Sequence, residues 1–271
     1  DNEFKKRIGF KGDLSEISVL ICNDYNIGEF ISNKIVTMGY EDFNFILTTT
    51  KGTFFVKIFA DVKPLKDCIR YCDIIECAVK NKIQTPNLLK INSHPLHIIK
   101  IKQKKLRVVL MDYISGKTLF ETKSKLNQNE LRFLAIQAAL INSMKIKPKK
   151  VYDSWAINNF LIEFGKTKKF LKSQDLKLIN PLIPEFKKIQ KEKLPHCFVH
   201  NDIIATNVMK DINGKLWIID FSVGNYYVRI QELAVMGCNI FTKEKFAIAL
   251  SEYRKKIKLT QKELELLPLY I

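Results

Sequence analysis

Between Phe198 and Ser222 two short apolar runs are tied together by Asn213-Gly214, and this pairing limits how the chain can fold. Asn-Gly between β-prone runs is the strongest short hairpin signal a sequence offers. Asn207-Val208-Met209-Lys210 reads as the outgoing strand and Leu216-Trp217-Ile218-Ile219 as the return. The hairpin therefore brings Asn207, at its start, near Asp220, at its end. Phe198-Val199 is a β-prone entry into the polar loop His200-Asn201-Asp202 that precedes it.

Those four polar positions have complementary chemistry. An amide carbonyl from Asn207 and a carboxylate from Asp220 are oxygen donors of the kind Mg²⁺ takes. Asp202 is then left to orient a hydroxyl and accept its proton. His200, Asp202 and Asn207 spell H-x-D-x-x-x-x-N, the layout of a phosphoryl-transfer catalytic loop, with Asp220 as its metal carboxylate. His200 is expected to shape the loop by hydrogen bonding rather than to move protons.

A cation for nucleotide phosphates is available upstream. Phe43–Thr50 and Thr53–Phe59 are β-rich runs joined by Lys51-Gly52 and read as a hairpin. Lys57 interrupts the apolar interior of the second run, where a phosphate-contacting lysine stands in kinase-type folds. Leu65–Lys82 reads as a helix with Ile69, Cys72, Val79 and Ile83 along one stripe. Glu76 or Asp73, with Asp67 a third choice, is expected to pair with Lys57. Arg107–Gly116 reads as a strand running into a loop. In kinase-like folds such a strand end meets adenine, here through the Asp112 carbonyl and the Ile114 amide.

Taken together, the chain from about Asp24 to Phe241 resembles the aminoglycoside phosphotransferase and choline kinase-like family. The resemblance runs through Gly39-Tyr40-Glu41-Asp42-Phe43-Asn44, Phe55-Val56-Lys57 and Met111–Gly116. It is sharpest at His200-Asn201-Asp202 with Asn207, and at Ile219-Asp220-Phe221-Ser222; Arg229–Ala234 matches the family's acidic-Leu-Ala segment. It implies an α+β, two-lobed protein-kinase-like fold, with residues 1–112 as nucleotide-binding lobe and 113–271 as helical catalytic and substrate lobe. It also implies that Asp202 is the catalytic base, that Asn207 and Asp220 bind Mg²⁺, and that Lys57 contacts ATP. The activity implied is transfer of the γ-phosphate to a small-molecule hydroxyl.

Several protein-kinase features are missing. No G-x-G-x-x-G lies between Gly39 and Lys57, where the Tyr40–Asn44 turn would stand in. Phe221 is followed by Ser222 rather than glycine, and no A-P-E follows. These departures count against a typical protein kinase. An atypical protein Ser/Thr kinase and a non-catalytic nucleotide-binding protein are the alternatives. The helix around Ala135–Met144 has no histidine where many relatives carry Leu-His, so no subfamily's acceptor can be carried over.

Composition narrows the class further. Hydrophobic residues make up 46% of 271, enough for a substantial core. No apolar run reaches the ~18–20 residues of a membrane span. Cys22, Cys68, Cys72, Cys77, Cys197 and Cys238 form no C-x-x-C pair, which suits buried reduced thiols and a cytoplasmic setting. The net charge of +17 is scattered over lysines without aromatic interleaving, so a nucleic-acid partner is not expected. Beyond Ser115 the expected helices span 128–147, 154–172, 180–193, 230–241 and 242–256, and Leu266–Ile271 begins another. Glu163, Glu185, Glu232, Glu244 and Glu252 are the acids available to a cationic acceptor, and Trp155, Tyr226 and Tyr227 the aromatics available to cage an ammonium.

Overall fold

The computed structural model describes residues 2–39, 41–189 and 193–271. Asp1 and Tyr40, the latter part of the turn expected in place of a glycine-rich loop, lie outside them, as do residues 190–192. The described chain is α+β and divides into two units, residues 1–117 with 209–219, and residues 118–208 with 220–271.

The first unit opens with α1 (Asn2–Arg7), α2 (Leu14–Tyr25) and β1 (Phe30–Val36), none of which the sequence patterns had marked. β2 (Phe43–Thr49) and β3 (Gly52–Ile58) form the expected hairpin, followed by α3 (Leu65–Lys80), β4 (His97–Ile101) and β5 (Lys104–Asp112). The five strands make an antiparallel sheet in the order β1-β2-β3-β5-β4. β2 alternates strictly, with Phe43, Phe45, Leu47 and Thr49 buried. Phe43, Phe45 and Leu47 join Val56, Ile58, Val108 and Leu110 in one core with Ile17 and Ile21 of α2. The opposite face of β3 carries Lys57, cross-strand from Asn44 and Val109. Asp13 and Glu16 close a reciprocal capping box that starts α2.

β6 (Gly116–Thr118) leads into the second unit. There α4 (Leu119–Thr122), α5 (Gln128–Ser143), α6 (Phe160–Thr167), α7 (Ser173–Ile179) and α8 (Leu182–Ile189) precede β7 (His196–Val199). The helix expected over 154–172 is α6 flanked by 3₁₀ turns at 157–159 and 168–170; α7 fills the interval before the second pattern, where α8 is described over Leu182–Ile189. The hairpin β8 (Val208–Asp211) and β9 (Leu216–Ile218) turns at Asn213-Gly214, with Gly214 at φ 80°. Asp211 holds that turn: its Oδ1 accepts the N–H groups of Asn213 and Lys215, both at 2.9 Å, and its Oδ2 accepts Trp217 Nε1–H. β6, β8 and β9 form a three-stranded sheet in that order. Residues 209–219 are tied to the first unit where Ile212 N–H donates to Ser115 O and Ile218 N–H to Gln84 O.

The chain then continues through β10 (Asn225–Val228), α9 (Ile230–Asn239), α10 (Lys243–Arg254) and α11 (Gln261–Tyr270). β10 pairs antiparallel with β7. Leu131, Leu134, Ala135, Ala138 and Ala139 of α5 are buried, and so are Ala249 and Tyr253 of α10. Among the described residues no helix is long and apolar enough to cross a membrane.

Gly116 illustrates how closely β6 and β8 approach. A Cβ there would stand 2.3 Å from Lys210 O and 2.7 Å from Asp211 Cα, both backbone atoms that cannot move aside. Gly116→Ala is therefore expected to lower the thermal midpoint by several degrees, on the order of 1–3 kcal/mol of overpacking. Thermal unfolding followed by circular dichroism would show it, and an unchanged midpoint would mean that the hairpin shifts freely.

Candidate active site

β7 ends at Val199 and the chain enters a loop whose backbone is anchored from below by Glu232 on α9. The Glu232 carboxylate is fully buried, accepts the N–H of His200 at 2.5 Å and of Asn201 at 3.3 Å, and takes Asn142 Nδ2–H at 3.3 Å. Burial pushes its carboxyl up to about 7, against the lowering effect of those hydrogen bonds. Asn142 also donates to Phe198 O at 3.0 Å and accepts Tyr253 O–H at 2.7 Å, so α5 and α10 brace the same carboxylate. At the start of α9, Arg229 makes a two-pronged ion pair with buried Glu263, at 3.0 and 2.6 Å. Glu263 also caps α11 through Thr260.

Asn201 sits at φ 69°, a left-handed conformation that asparagine tolerates better than most residues. Its side chain donates to Asp153 Oδ2 at 2.8 Å and accepts from Gln231 Nε2, while Asn158 Nδ2–H donates to Gln231 Oε1 at 2.5 Å. This buried chain of amides and one carboxylate fixes the residue before Asp202. Neither Asn142 nor Asp153 stood out in the sequence, and Asn201 and Gln231 were noted only as members of the His200-Asn201-Asp202 and Arg229–Ala234 stretches. Glu232 had been noted in the acidic-Leu-Ala segment and among the acids available to a cationic acceptor.

His200 is buried, packs on the Phe221 ring at 4.3 Å, and its Nδ1 accepts the Asp202 N–H at 3.2 Å. Asn207 Nδ2–H donates to Asp202 Oδ2 at 2.6 Å and to Asp202 O at 3.0 Å. The amide nitrogen is thereby committed to Asp202, which leaves the carbonyl Oδ1 of Asn207 as its outward donor. Asp220, at φ 61°, takes the Ser222 N–H at 3.2 Å and the Ser222 hydroxyl on its Oδ1. Burial first, then the charges of Asp220 and Asp153, push the Asp202 carboxyl up to about 7, with the Asn207 hydrogen bond opposing. The sequence thus placed Asp202, Asn207 and Asp220 in one cluster of the second unit, and the structure joins the first two directly.

In the first unit, Lys57 Nζ lies 3.2 Å from Asp42 Oδ2 and 5.4 Å from the centre of the Tyr71 ring. This corrects the expected pairing. Asp67, Asp73 and Glu76 make no hydrogen bond or ion pair to Lys57, and Glu76 pairs with Lys90 instead. The α3 stripe turns Cys68, Tyr71 and Cys72 inward, so its acids fall on the other side. The buried thiols of Cys68 and Cys72 are raised to about 11 and about 12, chiefly by desolvation, and all six cysteines are free. Asn44, opposite Lys57, has a buried Oδ1 with no hydrogen-bond partner among the described residues. Asp112 ends β5 with its carboxylate on Asn87 Nδ2 at 2.6 Å and its N–H on Asn87 O at 3.1 Å; the Ile114 side chain is buried beyond it.

The acids considered for a cationic acceptor are mostly engaged. Glu163 pairs with Lys166, Glu185 with Lys188 and Glu252 with Lys255, and Glu232 is beneath the loop. The three aromatics form no cage either. Trp155 is 94% exposed, Tyr226 stacks on His196 under Lys147, and Tyr227 is buried under Lys150.

Solved structures similar to this chain include phosphotransferases. Spectinomycin phosphotransferase in complex with ADP and spectinomycin superposes with a TM-score of 0.73 at 15% identity, over 96% of this chain and 84% of that one. Amicoumacin kinase bound to AMP-PNP and calcium gives 0.70 at 14%, over 99% and 84%. Choline kinase from Streptococcus pneumoniae gives 0.63 at 14%, over 94% and 85%. No curated protein sequence matches the chain. The architecture is that of the protein-kinase-like small-molecule kinases. The chain belongs to the phosphotransferase enzyme family, whose sequence profile matches residues 33–257.

Asp202 makes a prediction that requires no ligand. Its carboxyl is raised in the folded protein, so its stabilising protonated state is complete below the unfolded value near 3.8 and lost as pH rises through about 7. Without divalent cations, Asp202→Asn is expected to melt a few degrees above the parent at pH 8, with the gap closing toward pH 4. Paired thermal melts across that range test it; a gap independent of pH would count against a raised carboxyl.

Proposed function

We propose that the protein is an ATP- and Mg²⁺-dependent phosphotransferase that moves the γ-phosphate to a hydroxyl of a small molecule. The observation that carries this reading is the Asn207–Asp202 hydrogen bond, because one side chain orients the base and leaves its own carbonyl for a metal. The donor set fits magnesium, which takes few protein ligands and completes its shell with water and phosphate oxygens. Asn207 Oδ1 and the Asp220 carboxylate would hold it, and when bound it neutralises charge on the transferred group.

Asp202 then orients the acceptor hydroxyl and takes its proton. A base whose carboxyl titrates near neutrality is well matched to that task. Lys57 supplies the cation for the nucleotide phosphates, and the end of β5, at the Asp112 carbonyl and Ile114 amide, meets the adenine edge. On this reading the first unit serves the nucleotide and the second the chemistry and the acceptor. The acceptor is a small alcohol such as an aminoglycoside, sugar or amino alcohol. The engaged glutamates and lysine-covered tyrosines support neither a polycation pocket nor an aromatic cage at those positions.

An ADP-release screen with Mg²⁺-ATP against aminoglycosides, amino alcohols, pentoses and nucleosides is expected to find a productive acceptor class. With that acceptor, Asp202→Ala should cut turnover at least ~100-fold while Mg²⁺-ATP still binds. Undiminished turnover in the variant would exclude Asp202 as the base.

A further inference from the structure

A kinase-type lysine is ordinarily held by an acid on the helix that follows its strand. Here the helix offers none, and the carboxylate comes from the turn before β2. Asp42 is 5% exposed and Lys57 equally so. Its Oδ2 takes Lys57 Nζ at 3.2 Å and Lys63 Nζ at 2.9 Å, while its Oδ1 accepts the Ala60 N–H at 3.0 Å.

The backbone on both sides of this contact is fixed. Phe43, the next residue, is in register with Ile58, and Asn44 with Lys57 itself. Arg7 donates to Asp42 O at 3.2 Å and to Gly39 O at 2.9 Å, which ties the turn to α1. The carboxylate and the ammonium are thus held by neighbouring strands of one ladder rather than by a mobile helix. Burial alone would push the Asp42 carboxyl up; the charges of Lys57 and Lys63 outweigh it and hold the carboxyl below its ordinary value.

Two ammonium groups converge on one carboxylate oxygen, so the cluster carries a surplus positive charge. Glu41 also reaches Lys63, at 3.1 Å, but its side chain is 68% exposed and screens little of it.

We propose that Asp42 is the positioning residue for Lys57, in place of a helix acid, and that Lys63 is a second cation drawing the nucleotide phosphates to the same point. The inference rests on the reading of Lys57 as the phosphate contact. It implies that α3 has no part in switching the lysine on or off.

Titration calorimetry with Mg²⁺-ATP and, separately, with adenosine tests the assignment without knowledge of the acceptor. Asp42→Asn is expected to weaken Mg²⁺-ATP at least tenfold and leave adenosine unchanged, whereas Asp73→Asn and Glu76→Gln leave both unchanged. If Asp42→Asn does not fold, Asp42→Asn/Lys63→Met removes one charge of each sign and should fold with the same ATP-selective loss. ATP binding retained in whichever of these folds, or an equal loss for adenosine, overturns the role of Asp42. An ATP-selective loss in Asp73→Asn or Glu76→Gln overturns it as well. Lys57→Met separates the two levels: if it binds Mg²⁺-ATP like the parent, the nucleotide reading of Lys57 itself fails.

Discussion

The loop from His200 to Asp202 depends on one fully buried carboxylate, that of Glu232. Glu232 accepts two successive backbone N–H groups, those of His200 and Asn201. Amides buried without partners would cost about 1–3 kcal/mol each, so the side chain that α9 supplies stabilises the bend of the loop. The rest of the second unit serves that requirement. α5 contributes Asn142, α10 contributes Tyr253, and the Arg229–Glu263 ion pair locks the start of α9 against α11. Four helices thus converge on the position of a dipeptide.

The carboxylates of buried Asp42 and half-buried Asp202 sit in opposite electrostatic settings. Asp42 is surrounded by cations and is kept ionised, whereas Asp202 faces Asp220 and Asp153 and is pushed toward protonation. Desolvation acts on both in the same direction, so the difference comes from the neighbours. A group that must hold a cation in place needs a permanent charge. A group that must accept a proton at neutral pH needs a carboxyl that titrates there.

How far the sequence could be read follows from what a periodic pattern reports. The β-rich runs joined by Lys51-Gly52 and the Asn213-Gly214 turn located both hairpins, because each is a local rule of one element. The motif spacing located Asp202, Asn207 and Asp220 for the same reason. The partner of Lys57 was misread, since an acid near an apolar helical stripe says which face it borders and not what stands opposite. Asp42 resembled any acid in a turn. The contacts of Asn201 with Asp153 and Gln231 were invisible because they are defined by one another, across intervals of 48 and 30 residues. β1 went unmarked because its side chains are half-exposed or exposed and show no alternation.

The two left-handed residues at the site argue that local propensity there has given way to geometry. Asn201 and Asp220 both have positive φ, a conformation glycine would adopt more easily. Glycine at 201 would lose the amide that spans Asp153 and Gln231; at 220 it would lose the carboxylate itself. Asparagine and aspartate are the residues that tolerate this backbone while keeping a polar side chain. The strain is accepted because the side chain is needed, and it is held by the buried hydrogen bonds on either side. That is why the stretch from His200 to Ser222 reads so clearly as chemistry while the network that supports it does not.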